Sequence, residues 1–500
     1  MAAPAGRSHE QRNRAVEVLR DSSLDHVVAL AAWLDGDPSH GSPWLNVANA
    51  AGHSRAALAD IAAAGRQADV AVQVVGGSDP LADVDPAGAG THCYPWGWQR
   101  LAAALSAGAR APDIAVVHTG THFWPERGGH LGEHGSLNEP QSRAPLLVMG
   151  AGVAERGVVP GVARTVDVGA SLACYAGAPL PGGPGRVVGE MRPADARYVV
   201  GLLWDGVPNA EVLRGVEEGW LPRLAELFSG GYALRGGAVA DFPSVTLVNH
   251  VSALTGVGPD VHQVVHNAFY ERAGRAGGNG RSVVANDSTT WHQACDLLAP
   301  GVRTIFEQVR RERPGVETAC VNEPADRGAT YSTFGLIRAS GERSGAAGLI
   351  PGLPDAAQDP YAHHEYVSED REYARSTAVD AAGLQQMLTL FERAHPPALT
   401  WWNTTLTDTG HHAGGPGSEI ARAAMIDTDR RLGAWLDLLD RRGRRESTLV
   451  LLTADHGSEA ADPACRGDWN VALREAGVQV RDEAYGYLYL TSPDGSRLLG

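Results

Sequence analysis

RYVVGLLWDG, residues 197–206, is apolar from end to end until it closes on an aspartate. A strand without polar alternation is buried on both faces, which is the signature of a parallel sheet covered by helices. TLVLLTADHG (448–457) repeats the pattern and closes on Asp455 and His456, and ALTWWN (398–403) runs just ahead of Asp408. Further out, shorter apolar runs recur at 26–33 (HVVALAAW), 70–75 (VAVQVV), 113–118 (DIAVVH), 145–152 (PLLVMGAG), 318–321 (TACV) and 485–490 (YGYLYL). Helical patterns fall between them, at 54–65, 97–107, 210–229, 300–312, 379–394 and 418–442. Strand–helix alternation predicts an α/β fold with a mostly parallel central sheet and helices on both faces. In such sheets sites form beyond the carboxyl ends of the strands.

Composition narrows the function. The chain has 500 residues, with 42 Lys and Arg against 58 Asp and Glu, a formal charge of -16. That balance argues against a nucleic-acid polymer as partner, because such binding needs a basic surface to displace counterions. It leaves room for a small phosphorylated substrate, since bound metal ions reverse the charge inside a site. Five scattered cysteines with no CxxC pair predict neither a disulfide framework nor a cysteine zinc site. The polar start, MAAPAGRSHEQRNR, has no apolar signal-peptide core, and no apolar run reaches the roughly 18 residues of a membrane span. The expectation is a cytoplasmic protein with no membrane contact.

Four segments carry chemistry at the ends of expected strands. They are LLWDG with Asp205, DFPSVTLVNH (241–250) with Thr246, LTDTGHHAGGP (406–416) with Asp408 and His412, and LLTADHG (451–457) with Asp455 and His456. Thr246 follows a Pro-containing turn and opens an apparent helix, where the dipole favours an alkoxide or a phosphate. Taken singly, each has a plain structural reading. Asp205 suits a turn, Thr246 suits a helix cap, and Asp408 with His412 suits a solvated loop. Four such segments in this order point to metal and phosphate chemistry.

That order resembles the nucleotide pyrophosphatase/phosphodiesterase branch of the alkaline phosphatase superfamily over residues 197–457. The match runs through Asp205; Thr246 with Asn249 and His250; Thr255, Gly256, Pro259, His262 and Asn267; Asp408, His412, Gly415 and Pro416; and Asp455, His456 and Gly457. The family needs one more histidine, in a Gly-x-His-Gly turn downstream, and no histidine follows Gly457. Residues 128–179 resemble the family's carboxyl-terminal end instead. His134, in Gly132-Glu133-His134-Gly135, fits the missing ligand, with His118, His122 and His130 as competitors. The resemblance therefore implies a circular permutation. Residues 1–180 are the family's final section moved to the front, 181–196 is a linker, 197–500 is the catalytic core, and 271–375 is a candidate cap insertion. The alternative is that 1–180 is a separate domain.

The resemblance implies two divalent ions, zinc, one held by Asp408, His412 and His134 and the other by Asp205, Asp455 and His456. Thr246 would attack phosphorus to give a phospho-threonine that is then hydrolysed, with Asn267 donating to a phosphate oxygen. Asn249 and His250 would hold the nucleophile turn. The sequence departs from the family at Asn403, at His411 where a Gly is usual, and at Leu247-Val248 where an aromatic and a proline are common. These departures leave the substrate pocket open. Trp204, Trp291, Trp401, Trp402, Phe269 and Tyr270 are candidates to stack on a base or to fill the core. A phosphomonoesterase or phosphonate hydrolase with the same metals, and a non-catalytic metal-binding homologue, are the rival readings. A sulfatase is disfavoured, because Ser244-Val245-Thr246 lacks the C/S-x-P-x-R turn.

Overall fold

The computed structural model describes residues 5–36, 43–65, 69–82, 94–154, 156–189, 196–272, 280–284, 291–340, 352–484 and 486–491. Its centre is an eight-stranded sheet. In order across the sheet the strands are Tyr331–Ser332, Thr318–Val321, Leu399–Thr404, Tyr198–Trp204, Thr448–Thr453, Leu146–Gly150, Gly231–Leu234 and Gly157–Val159. The first five run parallel to one another; Leu146–Gly150 runs antiparallel to both its neighbours. The three long strands 198–204, 399–404 and 448–453 are buried at every position, as their unbroken apolar sequence requires.

Helices cover both faces. Thr165–Tyr175, Thr246–Thr255 and Ile305–Glu312 pack on one side, around Leu172, Leu254, Phe306 and Trp401. Asn209–Glu217, Pro222–Phe228, Arg371–Glu392 and Glu419–Arg441 pack on the other, around Leu224, Met387, Trp402 and Trp435. Adjacent strand residues point to opposite faces, so Trp401 and Trp402 enter different cores.

A second sheet takes up several of the remaining apolar runs. Its seven strands are Val480–Asp482, Tyr487–Leu490, Ile114–His118, Val28–Asp35, Trp44–Ala48, Gly52–Ala57 and Gln73–Gly77, and all neighbours are antiparallel. Short connections account for the pairs 44–48 with 52–57 and 480–482 with 487–490, because a tight hairpin joins antiparallel strands, while Ile114–His118 is paired with strands far away in the chain. Trp44–Ala48 and Gly52–Ala57 meet through a turn in which Asn49 Oδ1 accepts from the N–H groups of Ala51 and Gly52 at 3.0 Å. The helix expected over 54–65 therefore starts only at Leu58–Ala63, and residues 52–57 alternate buried and half-buried in the sheet. The helix expected over 210–229 is two helices, broken before Pro222.

The amino-terminal section is woven into the rest rather than set apart. Leu146–Gly150 lies inside the central sheet, Gly132–Glu133 pairs with Glu459–Ala460, and Ile114–His118 pairs with Tyr487–Leu490. The 271–375 stretch is not a cap throughout. It supplies the edge strand Tyr331–Ser332, its neighbour Thr318–Val321 and the packed helix Ile305–Glu312, while 273–279, 285–290 and 341–351 lie outside the described residues. Among the described residues no helix is long and apolar enough to cross a membrane, and Cys174, Cys295, Cys320 and Cys465 are free thiols.

Candidate metal centre

Register places the acidic strand ends side by side. Trp204 pairs with Thr404 and Leu203 with Thr453, so Asp205 and Asp455 leave the sheet on the same edge. The helix Leu406–Gly414 begins just after its strand and turns Asp408 and His412 to that edge. Asp380 anchors this helix, accepting from Thr405 N at 2.8 Å and Leu406 N at 3.1 Å. Gly206 lets the chains close up. Its φ is +69°, its N–H donates to Asp455 Oδ1 at 3.0 Å, and a Cβ there would stand 2.4 Å from Asp408 Oδ1.

Two donor sets result. The candidate ligand atoms of His134, Asp408 and His412 lie within 4.8 Å of one another, and so do those of Asp205, Asp455 and His456. The sets touch, because the His134 and His456 rings stack with centroids 3.8 Å apart. Each histidine is oriented by its own backbone contact. His134 Nδ1 donates to Ser244 O at 3.0 Å, His412 Nδ1 to Gly132 O at 2.8 Å, and His456 Nδ1 to Gly457 O at 2.9 Å. Spending Nδ1–H in this way fixes the tautomer and leaves Nε2 with its lone pair for an ion.

The electrostatics call for cations. Asp205, Asp408 and Asp455 crowd into a water-poor space, and burial with the Asp455 carboxylate pushes the Asp205 carboxyl up to about 8. Burial opposes the imidazolium of His412, but Asp408, 3.2 Å away, raises it to about 9. Burial and His456 hold His134 well below the usual imidazole range, so it is neutral and ready to ligate. Asp205 Oδ1, Asp455 Oδ2 and His456 Nε2 are buried without a hydrogen-bond partner. Leaving ionised groups so placed costs several kcal/mol each, and a divalent ion at each set removes that cost. Carboxylate and imidazole donors, three per ion, fit zinc and leave a position open.

Thr246 opens the helix Thr246–Thr255 and is buried. Its neighbours bracket both sets. Ser244, two residues earlier, holds His134, and His250, one turn later, has Nε2 3.6 Å from Asp205 and 3.5 Å from Asp455. Asn249 ties the turn together, its amide donating to Pro243 O at 3.2 Å and Val245 O at 3.0 Å and accepting from Asp241 N at 2.7 Å. Asn267 Oδ1 accepts from Leu247 N at 2.9 Å, which turns its NH2 the other way.

His250 does more than hold the turn, since it faces two carboxylates of the second set. Sequence reading missed what stands behind it. Glu323 lies 2.7 Å from His250 Nδ1, is fully buried, and accepts from Trp401 Nε1 at 3.1 Å. Nothing in VNEP (321–324) marks that carboxylate. His262 is a core residue 3.0 Å from Ser252 Oγ. Of the competing histidines, His122 stacks on Trp124 and lies 3.2 Å from Gly467 O, while His130 packs against His412 with centroids 4.1 Å apart. Trp204, Trp401, Trp402 and Phe269 are core side chains; the side chain of Trp291 lies outside the described residues.

The sequence profile of the type I phosphodiesterase / nucleotide pyrophosphatase family matches residues 199–497. The chain belongs to that family. As a type I phosphodiesterase / nucleotide pyrophosphatase homologue it falls in the alkaline phosphatase superfamily, and five of its six candidate metal ligands lie inside the match; His134 lies outside it. Among solved structures it is similar to murine ectonucleotide pyrophosphatase / phosphodiesterase 5, at 15% identity over 53% of this chain and 59% of that one, TM-score 0.34. It is also similar to phosphonoacetate hydrolase from Sinorhizobium meliloti with phosphonoformate bound, at 23% identity over 54% and 59%, TM-score 0.33. The chain thus spans about 59% of the length of these structures.

Proposed function

We propose that this chain hydrolyses small phosphodiesters or pyrophosphates through a phospho-threonine on Thr246. One observation carries the reading: two three-ligand donor sets meet at the strand ends, and residues two before and four after Thr246 contact one set each. Two zinc ions, held by His134, Asp408 and His412 and by Asp205, Asp455 and His456, supply when bound the positive charge that acidifies a hydroxyl and offsets charge on phosphate. Thr246 Oγ forms a bond to phosphorus while the bond to the leaving oxygen breaks, and that oxygen leaves with a proton. Water then attacks phosphorus, the Thr246 oxygen departs, and it recovers its proton. Asn267 Nδ2 donates to a non-bridging oxygen where charge builds up. The helix N-terminus at Thr246 favours the same anion.

The permuted order belongs to this reading. His134 supplies a ligand that the resemblance places after the Asp-His-Gly turn, and it does so from residues 1–180. The pairing of Gly132–Glu133 with Glu459–Ala460 supports a permuted segment returned to its place in the fold.

The test compares bis(p-nitrophenyl) phosphate with p-nitrophenyl phosphate, using zinc-loaded protein and the variants Thr246→Ala and His134→Ala. Preference for the diester, lost in both variants by a factor of 100 or more on the scale of about 3 kcal/mol, is the expected result. Preference for the monoester keeps the site and changes the substrate class. An active His134→Ala enzyme with two bound ions sinks the permuted ligand, and zinc-loaded protein inactive on both esters counts against a hydrolase of this kind.

A further inference from the structure

A third donor set lies on the outer side of the first. The candidate ligand atoms of His130, Glu133 and His412 also fall within 4.8 Å of one another. His412 belongs to both sets, yet its Nδ1 is committed to Gly132 O at 2.8 Å, so a single Nε2 serves them. One lone pair binds one ion. The outer and inner positions are therefore alternatives, and a third permanent site is excluded by the same geometry.

The four imidazoles form a line. Centroid separations are 4.1 Å from His130 to His412, 5.1 Å from His412 to His134, and 3.8 Å from His134 to His456. Exposure falls along it, from 34% for the His130 side chain through 20% for His412 to 0% for His456. Carboxylates accompany the line, with Glu133 3.7 Å from His130 Nδ1, Asp408 beside His412 and Asp455 beside His456. The segment is held rigidly, because Leu131 N donates to His412 O at 2.8 Å and Ala461 N to Leu131 O at 2.9 Å.

We infer that His130 and Glu133, with His412, form a loading position for divalent ions, from which an ion passes inward to His134 and Asp408. This rests on the reading that the inner sets hold metal. An ion reaching a buried site must shed water, and the half-exposed His130, backed by the buried carboxylate of Glu133, replaces that water stepwise. Exchange at a shared His412 then needs only movement between adjacent donor sets.

The experiment follows zinc uptake by metal-free protein in competition with a chromophoric chelator, in wild type, His130→Ala and Glu133→Gln. The first change is at a half-exposed position and the second is isosteric, so both leave the fold to be checked by circular dichroism. Uptake slowed about tenfold, with two ions per chain at equilibrium in every protein, is the expected outcome. Uptake at the wild-type rate in both variants overturns the inference. So does a wild type that holds three ions while the variants hold two, since that is a permanent site. A variant that ends with one ion makes His130 or Glu133 an ordinary ligand and overturns it too. Wild type that binds no zinc fails earlier, at the inner sets, and takes this inference with it.

Discussion

At the scale of single residues, close approach decides as much as ligand chemistry. Gly132 is the clearest case: a Cβ there would stand 2.2 Å from His411 O and 3.0 Å from the Gly415 Cα. The 130–134 segment can lie against the Asp408 helix only because position 132 has no side chain. Gly132→Ala should push the segment away, costing roughly 1–3 kcal/mol in stability. It should also weaken ion binding about tenfold or more by moving His134 and the Gly132 carbonyl that orients His412. Denaturant unfolding and zinc titration check the two effects, and a variant matching wild type in both would sink the close-packing account. Asp205, Asp408, His412, Asp455 and His456 were candidates only as a set, since each taken singly reads as a turn, cap or loop residue and it is the order of the four segments that points to metal chemistry. Glu323 was no candidate, because a buried carboxylate behind a histidine leaves no local pattern.

Elements are positioned by carboxylates at helix starts. Asp380 receives the first N–H groups of the Asp408 helix, and Asp429, on the long helix Glu419–Arg441, receives Arg223 N at 3.0 Å and Leu224 N at 2.7 Å from the helix Pro222–Phe228. Burial pushes the Asp429 carboxyl up to about 6, outweighing those two hydrogen bonds. A folded value above the unfolded one means the native state holds the proton more tightly. Its contribution to stability is complete below about pH 4 and is lost as pH rises through about 6. Stability of wild type relative to Asp429→Asn should therefore fall by on the order of 2 kcal/mol between about pH 4 and pH 7. Taking the difference cancels other titrating groups, and a flat difference in thermal or urea unfolding would contradict the assignment. The same scale explains the misread helix at 54–65. Alanine-rich sequence favours a helix, but hairpin pairing with Trp44–Ala48 gives residues 52–57 a buried face that a free helix would lack.

Across the whole molecule, the two parts of the chain share both sheets and one candidate metal centre. His134 comes from the amino-terminal section, while Asp408, His412 and the second set come from residues 197–500. Ions that bind only the folded state stabilise it by mass action, about 4 kcal/mol each when free ion exceeds Kd a thousandfold. Chelation should lower the Tm by several degrees, and zinc should restore it. His134→Ala should lose part of that gain, whereas a Tm indifferent to chelator would argue against both donor sets.

By itself the sequence determined the central strands, because residues buried on both faces must be apolar throughout, and it determined the donor types, because ligand chemistry is a property of side chains. Resemblance to the family put His134 forward through its Gly-x-His-Gly turn, with His118, His122 and His130 as competitors. Tertiary structure alone decided the second sheet, the place of Thr318–Val321 between Tyr331–Ser332 and Leu399–Thr404, the support of His250 by Glu323 and the line from His130 to His456. Each of these depends on residues far apart in the chain meeting at one place, and local patterns of hydrophobicity carry no record of such meetings.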